Sequence, residues 1–173
     1  MTGLLFTIAL LIFASVITVS YFWMFIFPLV GGAPYVPSDR KMVEKMVRLV
    51  NLKPGEKVVD LGSGDGRIVI EFAKAGADAH GYEISPFLVW ISRFKAQKEG
   101  FGSKTKFSKK NFWKEDFSEF DVIAMYQVSY VMNRLEKKLL DELKPGARVV
   151  CNAFKFPSWE PHVEEDGIFV YIK

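Results

Sequence analysis

Charge is missing from the first 38 residues: every charged side chain lies at or after Asp39. Cysteine is nearly missing too. Cys151 stands alone, which excludes a disulfide framework within one chain. With only His80 and His162 besides, no His/Cys metal-ligand cluster is expected. The formal charge is +3 over 173 residues, and no basic run is interleaved with aromatics, so no nucleic-acid partner is expected. The local basic stretch Lys104, Lys106, Lys109, Lys110 and Lys114 reads as a solvated face, or as a surface steered towards anionic lipid or an acidic partner. A G-K-[ST] phosphate loop is absent. So is the dinucleotide fingerprint G-x-G-x-x-G, because Arg67 stands where its third glycine would fall.

What the chain does have divides it in two. From Gly3 to about Val30 it is almost wholly apolar, interrupted only by Ser and Thr. A membrane-spanning helix needs about 20 such residues. A cleaved signal peptide would want a positive n-region and a shorter apolar core. A buried helix would carry a polar face. The run therefore predicts one uncleaved anchor contacting the bilayer through residues 3–30, with Tyr21, Phe22, Trp23, Phe25 and Phe27 at its interfacial end. Arg40, Lys41, Lys45 and Arg48 follow it, which predicts a single-pass protein with its domain on the cytoplasmic side, or the matrix side of a mitochondrion. Residues 1–33 form this anchor and a Gly/Pro linker, and 34–173 form the domain.

Within the domain Ser38 is placed to cap a first helix. Strands are expected over Lys57–Leu61, Ala79–Glu83, Thr105–Ser108, Asp121–Met125 and Arg148–Ala153. Helices are expected between them, over Ile68–Ala75, from Ser85-Pro86 to Glu99, and over Val131–Leu143. That alternation signals βαβ units and a parallel sheet. Asp166-Gly167 predicts a tight turn between His162–Glu165 and Ile168–Ile172, hence an antiparallel hairpin. Little helix fits between Phe154 and His162.

The segment Lys57–Arg67, K-V-V-D-L-G-S-G-D-G-R, carries the chemistry. A strand ends in Asp60 and opens into Gly62, Ser63, Gly64, Asp65 and Gly66, bringing bare backbone N–H groups and a helix N-terminus towards a ligand. Glu83 closes the second strand, where a carboxylate accepts from ribose hydroxyls. Asp60 and Asp65 favour a cationic ligand over a phosphate.

A strand ending in D-x-G-x-G-x-G resembles the first motif of class I S-adenosylmethionine (SAM) methyltransferases. The segments P-Y-V-P-S-D-R, V-V-D-L-G-S-G-D-G-R-I-V-I, G-Y-E-I-S-P-F-L-V, N-F-W-K, L-K-P-G-A-R-V-V and P-S-W-E-P together resemble one family within that class. It comprises the membrane-anchored mitochondrial protein-lysine methyltransferases acting on the adenine nucleotide translocase and the ATP synthase c-subunit, with their archaeal broad-specificity relative. The resemblance implies an α/β fold: a Rossmann-like class I methyltransferase sheet, mostly parallel with a C-terminal antiparallel hairpin, preceded by one transmembrane helix. It implies SAM as cofactor, and a protein lysine at or near a membrane as target. Gly62, Ser63, Gly64, Asp65 and Gly66 would line the methionine end of SAM, with Asp60 near its amino group. Glu83 would hold the ribose with Ile84 beside it, and Tyr35 and Pro37 would cover the cofactor. Asn111, followed by Phe112 and Trp113, stands where the family has an aspartate and recognises adenine.

Tyr126 is expected to line a narrow channel for the incoming amine as the catalytic residue, with Gln127 and Asn152 as further candidates. Two alternatives stay open on the residues alone: methylation of a lipid or quinone-like molecule, and a SAM-binding partner protein without turnover. Without N-P-P-Y, D-P-P-Y or a second cysteine, nucleobase methylation is not expected.

Overall fold

In the computed structural model, which describes residues 2–22 and 38–173, strands β1 (Lys57–Leu61), β2 (Asp78–Glu83), β3 (Thr105–Lys109), β4 (Val122–Tyr126) and β5 (Arg148–Asn152) run parallel. Strands β6 (Val163–Glu165) and β7 (Ile168–Ile172) form the hairpin, and β7 pairs antiparallel with β5. The order is β3-β2-β1-β4-β5-β7-β6. The helices are α1 (Thr2–Tyr21), α2 (Arg40–Leu49), α3 (Arg67–Lys74), α4 (Pro86–Lys98) and α5 (Ser129–Glu142).

Side chains alternate across the strands and so sort the core into two layers. Val58, Val122, Ala124 and Val150 pack with Val43 and Met46 of α2 and Val69 and Phe72 of α3. Val59, Leu61, Ile123, Met125, Val149 and Cys151 pack with Leu135 and Leu139 of α5, Phe117 and Tyr171. Each such large side chain fully buried contributes about 1.5–3 kcal/mol. Even-numbered residues of β1, β4 and β5 thus face α2 and α3. That parity also governs Asp60, Tyr126 and Asn152.

The hairpin turn has positive φ at Asp166 (47°) and Gly167 (77°), the two left-handed positions of a type I′ turn. No helix lies between β5 and β6. Instead Phe156 and Trp159 pack on Tyr171, with ring centroids 4.8 and 5.2 Å away. The Phe156 N–H donates to the Tyr171 hydroxyl at 3.1 Å, and burial pushes that phenol's pKa up to about 12. Tyr171→Phe leaves a buried N–H without an acceptor. An expected loss of about 1–3 kcal/mol would show in chemical denaturation as a lower midpoint at unchanged slope.

Two expectations fail. Asp39, not Ser38, is the N-cap of α2, and its side chain makes no cap bond. Ser38 is buried instead, its carbonyl accepting from Arg67 Nη1 at 2.6 Å. The larger correction concerns the N-terminal anchor. The chain divides into two units, residues 1–36 and 37–173; in the first unit helix α1 spans Thr2–Tyr21, and residues 23–30 of the expected span lie outside the described residues. Thr7, Ser15 and Thr18 interrupt its apolar sequence. Among the described residues no helix is long and apolar enough to cross a membrane. The transmembrane part of the expected fold is therefore overturned, and the single-pass localisation falls with it. Trp23, Phe25 and Phe27, expected at the interfacial end, lie outside the described residues.

Candidate active site

The turn from β1 into α3 is left-handed at three glycines, with φ of 80° at Gly62, 53° at Gly64 and 82° at Gly66. A chain with side chains at these positions would be strained. Four of the loop's backbone N–H groups expected to be bare are in use. Those of Gly62 and Ser63 both donate to the Tyr82 carbonyl (2.8 and 3.0 Å), and that of Gly66 to the Ser63 carbonyl (2.9 Å). The Gly64 N–H donates to Glu83 Oε2 at 3.0 Å. The loop therefore has few donors left for an anion; it presents glycine backbone and carboxylates.

Glu83 orders two segments at once. Its second oxygen accepts from the Ser85 N–H at 2.8 Å, and its own carbonyl accepts from the Lys110 N–H at 3.0 Å, tying the ends of β2 and β3 together. Glu83→Gln turns one acceptor into a donor facing a backbone N–H. It should cost about 1–3 kcal/mol, read as a lower thermal midpoint with the fold intact by circular dichroism.

Asp65 does not face a ligand with free charge. Its carboxylate is held by Arg67 (Nε–Oδ1 2.9 Å, Nη2–Oδ2 2.8 Å) and by Lys95. Burial alone would raise its pKa, but the two cations outweigh it and hold the group well below the usual carboxylate range. Asp60 is the opposite case. It is buried, and among the described residues nothing hydrogen-bonds its side chain. Burial first, then the charges of Glu83 and Asp65, push its carboxyl well above the ordinary value. An unpaired carboxylate beside two others is electrostatically incomplete without a cation or strong donor.

The other expected site residues are spread along the strands' C-terminal rim. Asn111 follows β3, its Oδ1 accepting from the Trp113 N–H at 3.1 Å and capping a short 3-10 turn over Phe112–Lys114. Phe112 is half-buried, its ring 4.9 Å from that of Trp113. Ile84 is exposed (37%) just past β2. Ser63 is buried, its hydroxyl without a partner. Tyr126 is half-buried at the end of β4, in register with Asn152 on β5. Tyr35 and Pro37, expected to cover the cofactor, lie outside the described residues.

Two supports went unread in the sequence, and Gln127, expected as a channel candidate, supports the loop instead. Ser92 of α4 donates its hydroxyl to the Gly64 carbonyl at 2.9 Å; a serine on an otherwise apolar helix face was the available signal. Gln127 donates its amide to the Leu61 carbonyl. A Cβ at Gly81 would sit 2.7 Å from Ser63 Oγ and 2.8 Å from the Phe107 ring, so β2 must be bare there for the loop to close.

Residues 60–163 match the model of the ANTKMT methyltransferase domain, the stretch that contains the loop, both rim carboxylates and the hairpin's first residue. The chain belongs to that family. Among relatives, the rat ATP synthase c-subunit lysine N-methyltransferase is 45% identical over 136 residues, which cover 78% of this chain and 62% of the rat protein. The chain thus spans less than two thirds of that relative's length. The protein-lysine N-methyltransferase of Saccharolobus islandicus is 37% identical, with 76% of this chain and 83% of the archaeal one covered. Of solved structures, an RNA methyltransferase from Salinibacter ruber in complex with S-adenosyl-L-homocysteine superposes with a TM-score of 0.73 at 34% identity. The superposition covers 79% of this chain and 91% of that one.

Proposed function

We propose that the chain is a SAM-dependent methyltransferase that acts on lysine side chains of proteins. The observation that carries this reading is the make-up of the glycine loop: the N–H groups of Gly62, Ser63, Gly64 and Gly66 are spent, and Asp60 stands unpaired behind it. Such a rim repels phosphates and suits a cationic ligand. The family membership and the names of the rat and archaeal relatives support the same reading.

SAM, when bound, supplies a methyl group already activated on a sulfonium. The chain's residues have the remaining tasks. Asp60 accepts from the amino group at the methionine end, and Glu83 from the ribose hydroxyls. Gly62, Gly64 and Gly66 let the backbone approach closely. Asn111 keeps its side-chain NH2 for adenine, with Phe112 alongside. Tyr126 walls the approach of the target. In-line transfer needs alignment above all, worth several kcal/mol. The target amine must arrive neutral, and a lysine near pKa ~10.4 loses its proton readily on entering a poorly solvated passage.

The Salinibacter ruber protein, an RNA methyltransferase, marks the competing acceptor. Two lysines of the basic stretch are paired, Lys106 with Asp78 at 3.2 Å and Lys110 with Glu115 at 2.6 Å, which leaves that edge less able to hold a phosphate backbone. The test is incubation with methyl-labelled SAM and a cell extract, followed by separate recovery of protein, RNA and lipid. Label on protein, mapped to lysine by mass spectrometry and lost in Glu83→Ala, is expected. Label in RNA or lipid would replace the reading.

A further inference from the structure

The register of the sheet orders the candidate residues along its rim. Asn111 follows β3, Glu83 ends β2, the glycine loop follows β1, and Tyr126 ends β4. Adenine, ribose, methionine and the transferable methyl would be met in that order, one strand at a time. The next strand is β5. Leu61, Met125 and Cys151 share one level across β1, β4 and β5, and Tyr126 and Asn152 stand together on the next. Neighbouring strands lie about 4.8 Å apart. Asn152 is therefore one strand past Tyr126, on the side away from the cofactor, where a target has to enter.

Asn152 has the attributes of a residue kept for a ligand. It is 8% exposed, and among the described residues nothing hydrogen-bonds its side-chain amide. Its amide is not sealed in the core but reaches the rim surface, where an incoming group can meet it. It shares the sheet face of Asp60 and Tyr126, by the alternation that puts Val150 and Ala124 on that face. The residue after it is strained. Ala153 has φ of 72° without being glycine, and is held there by its N–H donating to the Gly167 carbonyl at 2.8 Å. Strain fixed by surrounding bonds collects at functional positions. Here it ends β5 at Asn152 and turns the chain off the rim.

We propose that Asn152 positions the target amine: its side-chain oxygen accepts a hydrogen bond from the lysine ε-amine and aims the nitrogen lone pair towards the methyl, with Tyr126 as the wall beside it. This rests on the lysine reading above. As the N–C bond forms, the C–S bond breaks and its electron pair returns to sulfur. The nitrogen's surplus proton leaves to water.

Two measurements on the full chain test this. In the first, n-butylamine is titrated into isotopically labelled protein loaded with S-adenosylhomocysteine. The side-chain amide signal of Asn152, assigned by its loss in Asn152→Ala, should shift saturably. Absence of a shift in the signal missing from both Asn152→Ala and Asn152→Asp overturns the proposal. In the second, Asn152→Ala and Asn152→Asp are compared with the wild type on the protein acceptor that the label experiment delivers. Asn152→Ala should lower kcat/KM at least tenfold with the Kd for SAM within twofold. Asn152→Asp, an acceptor that favours the ammonium form, should lower kcat while KM holds or falls. Unchanged kcat/KM in Asn152→Ala, or a parallel loss of SAM affinity, overturns the role of Asn152 and leaves the lysine reading standing. A wild type that methylates no lysine overturns the reading itself.

Discussion

Asp60→Asn should make the protein more stable and nearly useless. Without ligand the wild type must either hold an unpaired buried charge or keep a proton on Asp60 above its ordinary range. Because the folded-state pKa is raised, the native chain binds more protons than the unfolded one between the two values. The stability that this group contributes is full below the unfolded value of 3.8 and is lost as pH rises through the folded value. Asparagine has no such loss. At pH 7 the variant should melt at least about 3 °C higher, the effect of ~1 kcal/mol in a domain of this size. The gap should widen as pH rises from about 4 and then level. Hydrogen bonds to a charged group are worth about 1.5–3 kcal/mol, so the affinity for SAM should fall about 10- to 100-fold. Melting curves against pH and titration calorimetry check both halves. A variant less stable than the wild type at pH 7 would show that the carboxylate is compensated in the fold.

Gly66→Ala should be among the most damaging single changes in the loop. The position has φ of 82°, and an added Cβ would lie 2.8 Å from two ring carbons of Phe107 and from Ser92 Cβ. A left-handed conformation costs an alanine about 1–2 kcal/mol. Overpacking of a filled site adds about 1–3 kcal/mol. Together they should lower the melting temperature by about 4–20 °C at the 2–4 °C per kcal/mol of such domains. Gly146→Ala is the internal control. It has the same φ of 82° with nothing within 4 Å of the new atom, so it reports the backbone strain alone. The difference between the variants is the contact with Phe107 and Ser92, and a difference near zero would mean that this packing gives way.

The sequence carried the sheet because local signals agreed with one another. Short strand-like segments alternating with helical ones left one winding, and Asp166-Gly167 marked the hairpin. Strand ends differ from expectation by a residue, as at Val122–Tyr126 against Asp121–Met125. That shift matters at Tyr126, which becomes the last residue of β4 instead of the first beyond it. The partners of the loop were not legible. Lys95 reaches Asp65 across 30 residues, and Ser92 reaches the Gly64 carbonyl across 28, contacts that exist only once α4 is packed on the sheet. Nor does an apolar run by itself establish a span: none of the helices among the described residues is long and apolar enough to cross a membrane. The identity of Asn111 was readable, but not that its Oδ1 would be occupied by its own turn.

Cys151, packed in the core, supplies a clock for the whole molecule. It is the one thiol in the chain, 1% exposed on strand β5 next to Asn152, and burial pushes it well above its ordinary pKa. A thiol reagent can meet it only when the central sheet opens, so its labelling rate reads the open fraction when closing outpaces reaction. Any ligand that binds only the closed form slows that rate by 1 + [L]/Kd, so one at 100 times its Kd should slow it about 100-fold. Unlabelled candidates can then be ranked by how long the chain keeps its single thiol hidden, before any methyl acceptor is known.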